Sequence, residues 1–136
     1  MVHLTIGRLA QLAGVNLETI RYYERRGLLP KPERTAAGYR QFPPDSARRV
    51  RFIKRAQTLG FSLDEVRDLL TLGAAPRQNR STIRARAKAK IEDIDGRIAA
   101  LRAMKRTLNA LVDRCERCGA STDCPIVACL DQDGAA

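Results

Sequence analysis

Three observations predict a mainly α-helical chain. Apolar residues in the first 72 positions recur at spacings of three and four. Residues that cap helices precede those runs, and glycines follow them. Residues 81–113 then continue without proline and with one glycine, Gly96. At 136 residues the chain can bury one modest core and carry an appended element.

Residues 5–14, TIGRLAQLAG, put Ile6, Leu9, Ala10 and Ala13 on one helical face, with Gly14 where the helix stops. Asn16 then caps a second helix with Glu18 in its first turn. Leu17, Ile20 and Tyr23 continue the apolar face until Gly27 and Pro30 end it. Two short helices joined by a tight Gly-Val turn make a helix-turn-helix.

In KPERTAAGYRQF, Pro, Gly and charged residues flank a short Tyr39–Phe42 segment, which reads as one strand of a β-hairpin wing. Asp45 or Ser46 caps a third helix carrying Val50, Phe52, Ile53 and Ala56, and Gly60 stops it. Ser62 caps a fourth, with Leu63, Val66, Leu69 and Leu70 facing inward.

GAAPRQN at 73–79 has the composition of a linker, and one long helix follows. Its apolar positions, Ile91, Ile94, Ile98, Leu101, Met104, Leu108 and Leu111, form a narrow stripe rather than a broad face. A helix far longer than so small a core needs, with a single seam, calls for a partner helix, so a homodimeric coiled coil is expected. The chain closes with DRCERCGASTDCPIVACLDQDGAA, a cysteine-rich loop with a short helical turn at Ile126–Leu130 and a polar tail. The expected organisation is a winged helix-turn-helix unit at 1–72, a linker at 73–80, a dimerisation helix at 81–113 and a cysteine-rich effector loop and tail at 114–136.

Charge indicates the partner. With 25 Lys and Arg against 15 Asp and Glu, the net charge of +10 favours a polyanion, and nucleic acid is the first candidate. No apolar run approaches the roughly 18 residues that span a bilayer, and the N-terminus lacks the apolar run of a signal peptide. A cytoplasmic chain with no membrane partner is expected. An enzyme is not: no Ser-His-Asp or Cys-His set, paired-carboxylate cleft or Gly-rich phosphate loop is present.

A recognition helix must offer cations and donors on one side while the core holds the other. LETIRYYERRGLL does so with Thr19, Arg21, Tyr22, Tyr23, Arg25 and Arg26, and the wing adds Lys31, Arg34, Tyr39 and Arg40. These residue types suit phosphates first and base edges second. Arg48, Arg49, Arg51, Lys54 and Arg55 surround the third helix, so about half of them are simply solvated.

All four cysteines, Cys115, Cys118, Cys124 and Cys129, lie after residue 114. In the cytosol they are expected as reduced thiols. Soft thiolates in a short loop suit Hg(II), Cu(I), Zn(II), Cd(II) or Pb(II). A structural thiol role and plain metal sequestration are the competing readings. Arg114 and Arg117 either favour thiolate beside them or are ordinary surface charges.

The phrases LTIGRLAQLAGVNLETIRYYERRGLLP, GYRQF and RVRFIKRAQTLGFSLDEVRDLL strongly resemble the DNA-binding half of the MerR family, and the resemblance extends along the whole chain in the same order. It implies an antiparallel coiled coil that spaces two winged domains on a pseudo-palindromic operator in double-stranded promoter DNA. It also implies a mechanism. The dimer represses without effector and, with effector, distorts an overlong promoter spacer so that RNA polymerase engages both promoter elements. By position, Arg21, Tyr23 and Arg40 match phosphate-gripping residues, and Thr19 and Tyr22 lie where the recognition helix meets the groove. Arg51 and Lys54 match less well.

Cys115 and Cys124, with eight residues between them and Pro125 after the second, resemble the loop cysteines of the family's mercuric-ion branch. Copper-sensing members are similar, with a slightly shorter loop. Divalent-ion sensors of the family take a third thiolate from the start of the partner's long helix. Arg80, with Ser81 adjacent, stands there in this chain. The resemblance therefore leaves two options: two thiolates alone, suited to Hg(II) or Cu(I), or a third from Cys118 or Cys129. Hg(II) ranks first. CERC followed by CP is also similar to the iron-sulfur branch, which implies a 2Fe-2S cluster as an alternative, with a shorter loop in which Cys129 would replace a missing cysteine.

Overall fold

The computed structural model describes residues 3–118 and 124–131. It divides into two compact units, residues 1–87 and 88–136, each considered by itself.

The first unit opens with α1 (Ile6–Ala13) and α2 (Leu17–Arg25). Thr5 Oγ1 accepts from the Arg8 N–H at 3.1 Å and starts α1. Gly14, at φ +70°, ends it with paired bonds, its own N–H to Gln11 O at 3.3 Å and the Val15 N–H to Ala10 O at 3.0 Å. Asn16 Oδ1 caps α2 through the Thr19 N–H at 2.8 Å. The helix-turn-helix therefore forms as the sequence predicts, each helix bounded by its own capping residues.

The wing is a two-stranded antiparallel hairpin, β1 (Glu33–Arg34) and β2 (Arg40–Gln41), in the register Glu33↔Gln41 and Arg34↔Arg40. Phe42, fully buried, leaves this hairpin and pairs instead with Leu4 through two backbone bonds of 2.8 and 2.7 Å. That bridge fastens the wing to the chain just ahead of α1. Tyr39 is 71% exposed at the hairpin turn.

Two more helices, α3 (Ser46–Thr58) and α4 (Leu63–Gly73), complete the core. Asp45 stands at the N-cap of α3 without a side-chain capping bond, and Ser46 is buried with no partner for its hydroxyl among the described residues, so neither caps this helix as expected. Ser62 does cap α4, in a reciprocal box: its hydroxyl accepts from the Glu65 N–H at 3.2 Å, and Glu65 Oε1 accepts from the Ser62 N–H at 2.8 Å.

Leu9, Ile20, Leu28, Phe42, Val50, Ile53 and Val66 form the centre of this core. Phe52, expected among the inward residues of α3, is 44% exposed instead. One position from Ile53 on a helix turns a side chain by about 100°, away from the core. With Leu59, Leu69 and Ile83 it borders an apolar cavity of about 330 Å³ within this unit.

Turns at residues 74–79 lead into α5 (Arg80–Cys118), whose 39 residues extend about 58 Å. Asn79 secures its start by donating from Nδ2 to Leu72 O at 3.0 Å. The helix outruns the expected end near Val112 because Asp113–Cys118 contains no breaker. The second unit holds most of α5 and the short α6 (Pro125–Leu130).

Candidate nucleic-acid interface and thiol site

The solvent side of α2 carries the candidate DNA contacts, and the structure gives them different surroundings. Tyr22 is 41% exposed, and Arg26, at the end of the helix, lies 3.5 Å from Asp64 Oδ1 in a surface pair. Arg21 is held by Glu18, with 2.5 Å between NH1 and Oε1. Lys31 is exposed. Thr19 donates its hydroxyl to Asn16 Oδ1 at 2.9 Å, so it serves the helix cap before it serves any groove.

Tyr23 departs from the expected role. It is buried in the core, and its hydroxyl donates to Gln57 Oε1 on α3 at 2.7 Å. Burial, followed by the neighbouring Tyr22 phenol, pushes its pKa above the ordinary value. Tyr23 thus ties the recognition helix to α3 and offers no open phosphate donor. The period of the helix already placed Tyr23 with Ile20 on the inner face, and that signal outweighs the polar handle.

Arg40 lies on β2 with Nε 3.2 Å from Glu24 Oε2 on α2. Both atoms are buried and not aligned for a hydrogen bond, so the contact is an ion pair between wing and recognition helix. The sequence did not reveal this pair, because its members are distant along the chain. The pair of Glu18 and Arg21 also went unread, although their spacing of three on one helix is a local signal for it.

Two α3 guanidiniums prove structural: Arg49 Nε donates to Leu28 O at 2.7 Å, and Arg51 NH1 donates to Leu12 O at 3.2 Å. Arg67 of α4 likewise donates to the carbonyl of Arg26, at the end of the recognition helix. Arg48, Lys54 and Arg55 stay exposed.

The thiols lie in the second unit. Cys115, in the last turns of α5, donates its thiol hydrogen to the sulfur of Cys124, the residue that starts α6. The Val127 and Ile126 backbone N–H groups, and then this thiol, hold the Cys124 pKa below the ordinary thiol value. Cys129 is exposed on α6, and the side chain of Cys118 lies outside the described residues. Among the described residues no group of three metal-binding side chains converges, so the pair that meets is Cys115 and Cys124.

The expected dimer residues are uncovered in the single chain. Ile91, Ile94, Ile98, Leu101 and Leu108 are 57, 39, 40, 63 and 54% exposed. Leu111, from the same apolar pattern, is 5% exposed and packs within its own chain.

Comparison with known proteins agrees with these features. The MerR HTH family regulatory protein family matches residues 4–72, and the MerR DNA-binding family matches residues 47–111. The mercuric resistance operon regulatory protein of Serratia marcescens is 40% identical over 128 residues, covering 94% of this chain and 88% of the relative. The mercury(II) complex of the dual-function regulator MerR from Bacillus megaterium MB1 superposes with a TM-score of 0.73 at 39% identity, over 95% of this chain and all of the other. The lead(II) complex of the transcription regulator PbrR691 from Ralstonia metallidurans CH34 reaches a TM-score of 0.81 at 32% identity, over 93% and 98% of the two chains. The capped helix-turn-helix, its wing and the long helix that follows are those of a DNA-binding transcriptional regulator and not of an enzyme, and the chain belongs to the MerR family.

Proposed function

We propose that this protein controls a promoter in response to a thiophilic metal ion, with Hg(II) as the first candidate effector and Cu(I) as the second. The observation that carries the reading is the meeting of Cys115 and Cys124, from the end of α5 and the start of α6, in a chain whose cysteines all lie in this segment. Two soft sulfurs in hydrogen-bond contact, one of them biased toward thiolate, suit an ion that two thiolates satisfy. Zn(II), which prefers four ligands, fits this pair less well. Bound there, the ion would replace the thiol proton as the link between α5 and α6. The names and contents of the relatives, mercuric resistance and bound mercury(II), favour Hg(II).

DNA docking falls to Arg21, Tyr22 and Arg26 of the recognition helix, with Lys31 and Arg40 from the wing and Thr19 and Tyr23 as its supports. Two copies join along the exposed stripe of α5, and the dimer acts on promoter DNA beside RNA polymerase in the cytoplasm. The test separates docking from sensing. Cys115→Ser and Cys124→Ser are each expected to keep operator binding by mobility shift and to lose the transcriptional response to Hg(II). A normal response from either variant would overturn the site.

A further inference from the structure

We propose that an ion pair between Asp95 of one subunit and Arg102 of the other, together with Lys105, selects one antiparallel register for the α5 dimer. This rests on the dimer reading above and adds what fixes its geometry. The exposed stripe is a heptad with one irregularity. Ile91, Ile98 and Val112 occupy the first apolar position of their heptads, and Ile94, Leu101 and Leu108 occupy the second. The remaining first position holds Lys105.

Asp95 and Arg102 each follow a second-position residue directly and so flank the seam on one side. Asp93 is different: it already pairs with Lys90 at 3.5 Å and Arg97 at 3.3 Å on its own helix. Asp95, Arg102 and Lys105 are exposed and form no ion pair among the described residues, so a second copy is free to satisfy them.

A parallel dimer places these charges badly. Lys105 would face Lys105 of the other copy inside the seam, and Arg97 would lie across from Arg102. In an antiparallel dimer, first positions pack against second positions, and flanking residues meet their own kind of position. Setting Ile98 against Leu101 puts Ile94 against Lys105 and Ile91 against Leu108. In that register Asp95 lies across from Arg102, twice by symmetry. Sliding the helices by one heptad sets Arg102 against Arg102 in one direction and Asp95 against Asp95 in the other. Lys105, opposite Ile94, lets its ammonium reach out toward Asp95 of the other copy while its stem stays in the seam. One charge pattern thus disfavours both the parallel dimer and the slipped ones.

The test is a charge exchange in the full-length protein. Asp95→Arg and Arg102→Asp, each alone, put like charges across the seam twice and are expected to raise the dimer dissociation constant about tenfold or more. Mixing the two variants under distinct tags should give a heterodimer well above the statistical half, read by native mass spectrometry, and the double exchange on one chain should restore the homodimer. A wild-type dimer whose two variants mix only statistically would overturn the register and leave the dimer standing. A wild-type monomer would overturn the dimer reading itself, and the register with it.

Discussion

Tyr23 and Arg21 lie two positions apart on α2 and serve opposite sides of it. Tyr23 anchors the helix through Gln57. Tyr23→Phe should lower stability by about 1 kcal/mol in urea unfolding, the typical net worth of such a bond. Because burial raises this phenol's pKa, the folded state keeps the proton after the unfolded chain releases it. Its contribution is therefore complete below the unfolded value of about 10 and is lost as pH rises through the folded one. As pH rises above about 10 the Phe variant should therefore lose less stability than the parent. Arg21→Ala should leave the fold intact, since its pair with Glu18 is exposed and contributes little. It should weaken operator binding and lower the salt slope of that binding by about one. An unchanged slope would remove Arg21 from the phosphate contacts. Cys124 belongs to this scale as well: with its pKa held down, its alkylation by iodoacetamide should reach half its maximal rate below the ordinary thiol range.

Among the elements, those whose ends are written in local chemistry were legible in the sequence. Gly14 ends α1 and Asn16 starts α2 as their types predict, and the Ser62–Glu65 box starts α4. Ser62→Ala should lower the melting temperature in proportion to a loss of about 1 kcal/mol, and a change within error would mean the box is incidental. What the sequence hid depends on tertiary packing. Asp45 looks like a cap yet makes no capping bond. Phe52 looks like core yet borders a cavity, because the phase of α3 is set by Val50, Ile53 and Ala56. The ion pair of Arg40 with Glu24 joins wing to helix across many intervening residues, and no local pattern announces it.

For the molecule as a whole, two parts of the chain carry separate chemistry: a basic reading head in residues 1–87, and in 88–136 a helix with an uncovered apolar seam and a thiol pair near its end. The stripe was visible in the sequence as a repeat of threes and fours. That it is left open, while Leu111 is buried, only the structure shows. Of the four cysteines, the family resemblance favoured Cys115 and Cys124, and these two meet, with Cys129 turned to solvent on α6.

In this reading the Cys115–Cys124 pair makes the DNA-binding protein respond to a soft metal ion. Anaerobic titration of the reduced protein with Hg(II), Cu(I), Zn(II) and Cd(II), with competitive affinity and promoter transcription read on the same samples, is the decisive measurement. Tight binding of Hg(II) or Cu(I) at one ion per pair of thiols, with transcription switching at that stoichiometry while Zn(II) and Cd(II) leave it unchanged, is the expected result. Transcription that no thiophilic ion alters, with the protein still bound to its operator, would show that the thiol pair is not a metal sensor.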